Sequence, residues 1–337
     1  MKNKKLEDLE KKMAKLRKKS KVEGMCPLSN LPDGKKLHTG ILTLDYLLKG
    51  GMLEGAIMLL YGAPISLKTT IGLKILANLQ KEEGKTCGII NTESGFDKKR
   101  FKNLGGYPEL VDINIARKMG ECLYDIVIEM VREGTECFLI DSVSNMVSKY
   151  SMDKKQVESQ IMAEEAKMNK RALKYFMNMD EKANLILVSH LLPTLSKNGP
   201  INYTPGGYVL SYLPEYRIEM VSKNKYDSEW NKIITNTPNK PVEGIELLFK
   251  GNKIRNTNPN SFASIKINLY TGEIFLEDEL FQLAKKMDLL ERSGANFTIK
   301  GTQITFNGEV RFVNALIKDR ELFKLLEDMV KKEIYGK

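Results

Sequence analysis

The spacing of apolar residues changes several times along the chain, and each change marks an element. Leu6, Leu9, Met13 and Leu16 recur at intervals of three and four among charged residues, which predicts an amphipathic helix over 4–20. A helix this short needs a surface to cover its apolar side, either its own domain or a neighbouring subunit. Gly24, Pro27, Pro32, Asp33 and Gly34 then predict a linker over 20–37. Residues 39–56 form a helical pattern closed by glycine turns. Beyond it, unbroken apolar runs at 57–61, 86–90, 137–141 and 184–189 predict strands buried on both faces of a parallel sheet. Helical patterns separate them: one from the turn after residue 62 to about 83, one over 118–132, and a long one over 157–177.

Further strands are expected at 216–222, 243–249 and 261–269, with a polar hairpin loop around Trp230 at 226–242. Three stretches read as non-repetitive: 97–105, basic and turn-like; 148–156, an exposed loop; and 191–206, a long loop bearing Pro193, Pro200 and Pro205. Past the core the pattern gives a helix at 277–292, a β pair at 296–309 and a helical segment at 311–334. The domain organisation is therefore 1–36, an oligomerisation helix and linker; 37–273, an α/β core; and 274–337, a small C-terminal module.

One junction carries chemistry. Strand 57–61 breaks at Gly62 and continues Ala-Pro-Ile-Ser66-Leu67-Lys68-Thr69-Thr70 into a helix. The spacing from Gly62 to Lys68 and Thr69 is that of a phosphate-binding loop. Loop and helix-start N–H groups can surround phosphate oxygens. Lys68 can reach the outer phosphates, and Thr69 can offer its hydroxyl to Mg²⁺. The position before Lys68 is expected to be glycine, and Leu67 stands there. Four more polar residues lie at the ends of three strands at the same sheet edge, where ligands bind in α/β folds. Glu93 follows strand 86–90, Asp141 ends strand 137–141, and Ser189 and His190 end strand 184–189. Glu93 can orient or deprotonate a water, and Asp141 can support a metal ion.

Composition narrows the classes. With 337 residues and 42% hydrophobic content, the chain can build a substantial core. A formal charge of +10 and a pI of about 9.1 suit a polyanionic partner or solubility through charge. Two histidines exclude a His-rich metal site, and Cys26, Cys87, Cys122 and Cys137 lack metal-ligand spacing. Cys87, Cys122 and Cys137 are expected to be buried thiols. No secretion signal or run of about 18 apolar residues is present, so a soluble cytoplasmic protein without membrane contact is expected.

The pieces Thr39-Gly40, Leu44-Asp45, the Tyr61–Thr70 loop, Thr92-Glu93, Leu139-Ile-Asp141-Ser142, Thr204-Pro-Gly206-Gly207 and Lys253 stand in an order that resembles the RecA family of DNA strand-exchange ATPases. Leu289–Ala295 is similar to the start of the bacterial family's last domain. The resemblance implies a RecA-like core with a twisted, mostly parallel sheet flanked by helices. It implies ATP and Mg²⁺ as ligands. Glu93 becomes the water-activating carboxylate, Lys68, Thr69 and Thr70 the phosphate and metal ligands, and His190 the γ-phosphate sensor. Asp97 falls near adenine, with Arg100 where relatives carry a base-stacking aromatic. Lys253 matches one of two lysines that reach across the subunit interface. Gly251 occupies the position of the other, and Lys250 lies one residue away.

Residues 148–156, with Lys149, Lys154 and Lys155, and residues 191–206, with Lys197, Ile201 and Tyr203 followed by Gly206 and Gly207, become the two DNA loops. Leu67 and His190 make the pattern similar to the phage UvsX-type recombinases. The implied partners are single-stranded DNA, homologous duplex, further copies in a helical filament, a single-stranded-DNA-binding protein and a loading mediator. Two other readings share the core: a hexameric helicase, and a DNA-coating protein that does not hydrolyse ATP.

Overall fold

A computed structural model describes residues 11–16, 18, 34–93, 95–114, 119–152, 158–196, 199–203, 205–234, 240–255 and 261–336. The chain divides into two units, residues 1–35 and 36–337. In the first, residues 11–16 are helical, with Met13 and Leu16 on the exposed surface; Leu6 and Leu9 lie outside the described residues.

The second unit is built on an eight-stranded sheet. Its strands are β1 (Ile57–Gly62), β2 (Cys87–Asn91), β3 (Val111–Asn114), β4 (Cys137–Asp141), β5 (Asn184–His190), β6 (Tyr216–Tyr226), β7 (Gly244–Ile254) and β8 (Ser261–Asn268). They lie in the order β8-β7-β6-β1-β5-β4-β2-β3. From β6 to β3 every neighbouring pair is parallel, and β7 and β8 add antiparallel at the other edge. The apolar runs behave as their composition requires: β1, β2 and β4 are buried along their whole length.

Side chains alternate between two cores. Met58, Leu60, Leu139 and Ile186 face one layer with helix α1 (Lys68–Glu82). Ile57, Leu59, Tyr61 and Ile140 face the other, with α3 (Gly120–Arg132) and α4 (Glu158–Met177). In α3 the buried Leu123, Tyr124, Val127 and Val131 keep helical spacing. Cys87 and Cys137 are buried on adjacent strands, whereas Cys122 is exposed. Cys122 falls between the inward positions Gly120 and Leu123, so the helical pattern around it does not bury it.

The non-repetitive stretches hold more order than their composition suggests. Residues 98–103 form a helix, α2 (Lys98–Asn103), because Asp97 accepts from the Arg100 amide and Phe101 anchors it in the core. Lys149–Met152 is a helical turn. In the expected loop, Leu192–Ser196 and Gly199–Tyr203 pair as an antiparallel hairpin. Its prolines hide it in the sequence, since proline sits in such edge strands without disrupting a central ladder.

At the C-terminal end, α5 (Leu276–Lys286), α6 (Glu309–Lys318) and α7 (Arg320–Tyr335) pack on a three-stranded sheet of Leu290–Ser293, Asn296–Ile299 and Thr305–Asn307. Phe281, Phe297 and Phe312 fill their centre. The expected single helix at 311–334 is two helices: Asp319 breaks the first and caps the second, accepting from the Glu321 and Leu322 amides. Glu279 of α5 accepts from the Thr43 amide at 2.8 Å, and Tyr335 of α7 donates to Asp45 Oδ2 at 2.8 Å.

Candidate functional site: a phosphate loop at the sheet edge

The parallel register brings the polar strand ends together. Gly62 lies opposite His190, and Asn91 opposite Asp141. Gly62 leaves no room for a side chain: a Cβ there would stand 2.4 Å from the Met220 carbonyl oxygen. The chain then turns through residues 63–67 into α1, whose N-terminus no side chain caps.

Leu67 adopts the left-handed region, with φ 57° and ψ 25°. The glycine-like conformation is therefore present without glycine. Such a conformation costs a non-glycine residue about 1–2 kcal/mol. The Leu67 side chain packs half-buried against the core and offsets part of that cost. Ile65 also has positive φ, at 62°.

Lys68 is buried and folded back over the loop. Its ammonium donates to the Gly62 carbonyl at 3.1 Å, the Ala63 carbonyl at 2.8 Å and Ser66 Oγ at 3.3 Å. Burial lowers its pKa, and the nearby Asp141 and Glu93 oppose that shift. The same three acceptors pull the ammonium toward the inside of the loop, where phosphate oxygens would sit. Thr70 is buried in the first turn of α1.

Thr69 Oγ1 donates to Asp141 Oδ2 at 2.6 Å. Asp141 Oδ1 is buried and has no hydrogen-bond partner among the described residues. Burial raises the Asp141 pKa, against the Thr69 bond. A buried carboxylate oxygen left over beside a hydroxyl fits a hard, oxygen-preferring cation such as Mg²⁺. Among the described residues no cluster of three or more His, Cys, Asp or Glu could hold a metal. A cation here would rest on Thr69, Asp141 and non-protein oxygens.

Glu93 Oε1 lies 2.8 Å from His190 Nε2. Asn145 Nδ2 donates to the same oxygen at 3.4 Å, and the Glu93 amide donates to Asn91 Oδ1 at 3.0 Å. The turn before Glu93 is bolted to the end of β4: Thr92 N donates to the Asp141 carbonyl, Thr92 Oγ1 to the Ser142 carbonyl, and Ser142 N back to Thr92 Oγ1. Asn145 escaped the sequence reading because nothing in its surroundings marks it. Its one signal is its place four residues after Asp141, which the 3₁₀ turn Val143–Asn145 brings round to Glu93.

A cavity of about 210 Å³ opens beside the loop, lined by Thr69, Asn91, Glu93, Asp97, Arg100 and Asp141 among others. Asp97 caps α2 there. Arg100 Nη2 donates to the Leu269 carbonyl at 3.1 Å, while its Nε is buried without a partner among the described residues. Seven expected residues, Gly62, Ser66, Lys68, Thr69, Glu93, Asp141 and His190, thus converge, and Asp97 and Arg100 border them.

Other expected residues fall elsewhere. Lys253 donates to the Tyr212 carbonyl and Lys250 lies 3.6 Å from Glu219, both at β7. Lys149 is exposed, with its amide held by Glu121. Ile201 and Tyr203 lie in the hairpin, and Gly206 and Gly207 follow it. Lys154, Lys155 and Lys197 lie outside the described residues.

A phosphate loop between β1 and α1, with carboxylates on the neighbouring strand ends of a mostly parallel sheet, defines an α/β P-loop fold. The sequence pattern of the RecA N-terminal domain matches residues 7–245, and the chain belongs to the RecA family. It is 29% identical to protein RecA of Rickettsia massiliae over 279 residues, covering 81% of this chain and 77% of that protein. It is 25% identical to protein RecA of Mycoplasma genitalium over 310 residues, covering 89% and 86%. Identity to protein RecA of Fusobacterium nucleatum is 27% over 275 residues, covering 80% and 69%.

Proposed function

We propose that this protein is an ATP-dependent DNA recombinase that forms helical filaments on single-stranded DNA, pairs it with homologous duplex and promotes strand exchange. The observation that carries the proposal is the convergence of Lys68, Thr69, Asp141, Glu93 and His190 on one loop in a RecA-family chain. Mg²⁺ held by Thr69 and Asp141 would neutralise phosphate charge. Lys68 and the amides of the α1 N-terminus bind the phosphates. Glu93 orients a water and takes its proton, and His190 links that carboxylate to the strand end leading into the second DNA loop. Positioning and charge neutralisation supply most of the acceleration in this chemistry.

Hydrolysis here serves release more than pairing. Homology is read by base pairing, so binding should depend steeply on salt and little on sequence. Asp97 and Arg100 border the adenine site in this reading, and Lys253, with Lys250, reaches the ATP of an adjacent copy. The helix within residues 1–36 packs on the next copy, and residues 274–337 act as a small C-terminal lobe held on the core. A single-stranded-DNA-binding protein and a loading mediator assist in the cytoplasm. Leu67 and His190 support placing the chain with the phage UvsX-type subgroup, acting in the host cytoplasm.

Electron microscopy of the full chain with single-stranded DNA, ATP and Mg²⁺ tests this. Helical filaments that need ATP are expected, with turnover stimulated by the DNA. Closed rings would favour a helicase, and a DNA coat without turnover would favour a non-hydrolysing protein.

A further inference from the structure

The end of the second candidate DNA loop is fastened by two side chains that the proposed chemistry does not use. Asn169, on α4, is fully buried. Its Nδ2 donates to the Gly206 carbonyl at 2.9 Å, and its Oδ1 accepts from the Tyr124 hydroxyl at 2.7 Å. The alternative amide orientation would set Oδ1 against the Gly206 carbonyl, acceptor against acceptor. Burial raises the Tyr124 phenol, which keeps it a neutral donor and holds the amide in register.

The two glycines complete the joint. Gly206 and Gly207 have φ of +98° and +92°. A Cβ on Gly207 would stand 2.3 Å from Ala166 Cβ, and one on Gly206 would stand 2.9 Å from Asn169 Nδ2. The loop end therefore lies flush on α4, where any side chain would lift it off.

The first candidate loop is tied to the same place. Glu121, one turn before Tyr124 on α3, accepts from the Lys149 amide at 2.9 Å, and the Gly120 amide donates to the Val147 carbonyl at 2.9 Å. A single turn of α3 is thus the footing for the start of one loop and, through Asn169, for the end of the other.

We infer that Tyr124 and Asn169 are positioning residues for single-strand binding, fixing Gly206, where the second candidate loop ends, relative to Val147 and Lys149, where the first begins. This rests on the DNA-binding reading given above. The test uses full-length Tyr124→Phe, Asn169→Ala and the double variant. Turnover of ATP is measured without DNA and against increasing poly(dT), alongside thermal melting.

The half-saturating poly(dT) concentration should rise about five- to tenfold in each single variant, the scale of one buried hydrogen bond. The double variant should be no worse than Asn169→Ala, because Tyr124 acts through Asn169. Turnover without DNA should stay unchanged. An unchanged half-saturation overturns the assignment. So does a parallel fall of DNA-free turnover and DNA response, which would mark a purely architectural role. If Asn169→Ala does not fold, Tyr124→Phe, which removes one oxygen, decides alone. Wild-type protein without any response to poly(dT) would instead overturn the proposed function.

Discussion

His190 Nε2 and Glu93 Oε1 stand 2.8 Å apart, so the proposed sensor and the proposed base share one hydrogen bond across the ends of two strands. Replacing Glu93 by Gln keeps the shape and removes the base. ATP binding should persist while turnover falls by roughly 10²-fold or more, the range of general base catalysis. Replacing His190 by Ala should leave ATP affinity intact and abolish stimulation by DNA. Nucleotide titrations with steady-state ATPase assays separate the two; full turnover in Glu93→Gln would remove it from its role.

Lys68→Ala deletes the one ammonium inside the loop. ATP affinity and ATP-dependent filament formation should fall together, by roughly 10-fold or more for loss of a charge-assisted contact. Unchanged ATP affinity would mean that the phosphates lie elsewhere.

Leu67 sets strain against packing. Leu67→Ala keeps the positive φ and loses the packed side chain, whereas Leu67→Gly loses the packing but relieves the strain. The alanine variant should be less stable than the glycine variant by about 1 kcal/mol. Urea melts of the two proteins check the order, and a more stable alanine variant would contradict the left-handed conformation.

Asp45 is fully buried, accepting from Thr39 N at 2.9 Å, Thr39 Oγ1 at 2.8 Å and Tyr335 at 2.8 Å, with Glu279 as its acidic neighbour. Burial pushes its pKa up to about 7, from 3.8. Folding therefore favours its protonated form. That contribution is complete below the ordinary carboxylate range and is lost as pH rises through about 7. Tyr335→Phe removes a donor that the ionised form needs more, so its cost, about 1–3 kcal/mol, should be larger at pH 8 than at pH 5. Equal losses at both pH values in urea melts would refute the assignment.

Much of this was legible in the residues. Runs such as Ile57–Tyr61 admit few readings other than a buried parallel strand, and once strands are parallel their polar ends must share an edge. That is why Glu93, Asp141 and His190 were recoverable beside Lys68. What stayed hidden depends on pairing rather than periodicity. The 192–203 hairpin is made by backbone bonds between proline-bearing segments. Helix α2 is set by one cap at Asp97 and one anchor at Phe101. Asn145 and Asn169 matter only through partners distant in sequence, 52 residues away for Glu93 and 45 and 37 for Tyr124 and Gly206.

The bond between Tyr335 and Asp45 spans 290 positions, so the opening turn of the core is completed by a residue made long after it. During synthesis the amino-terminal part folds first, and the Asp45 carboxylate must await its phenolic partner until residue 335 has left the ribosome. A product stopped before residue 335 would carry the whole phosphate loop without the phenol that steadies Asp45, a species that protease digestion of nascent chains should distinguish from one extended past that residue.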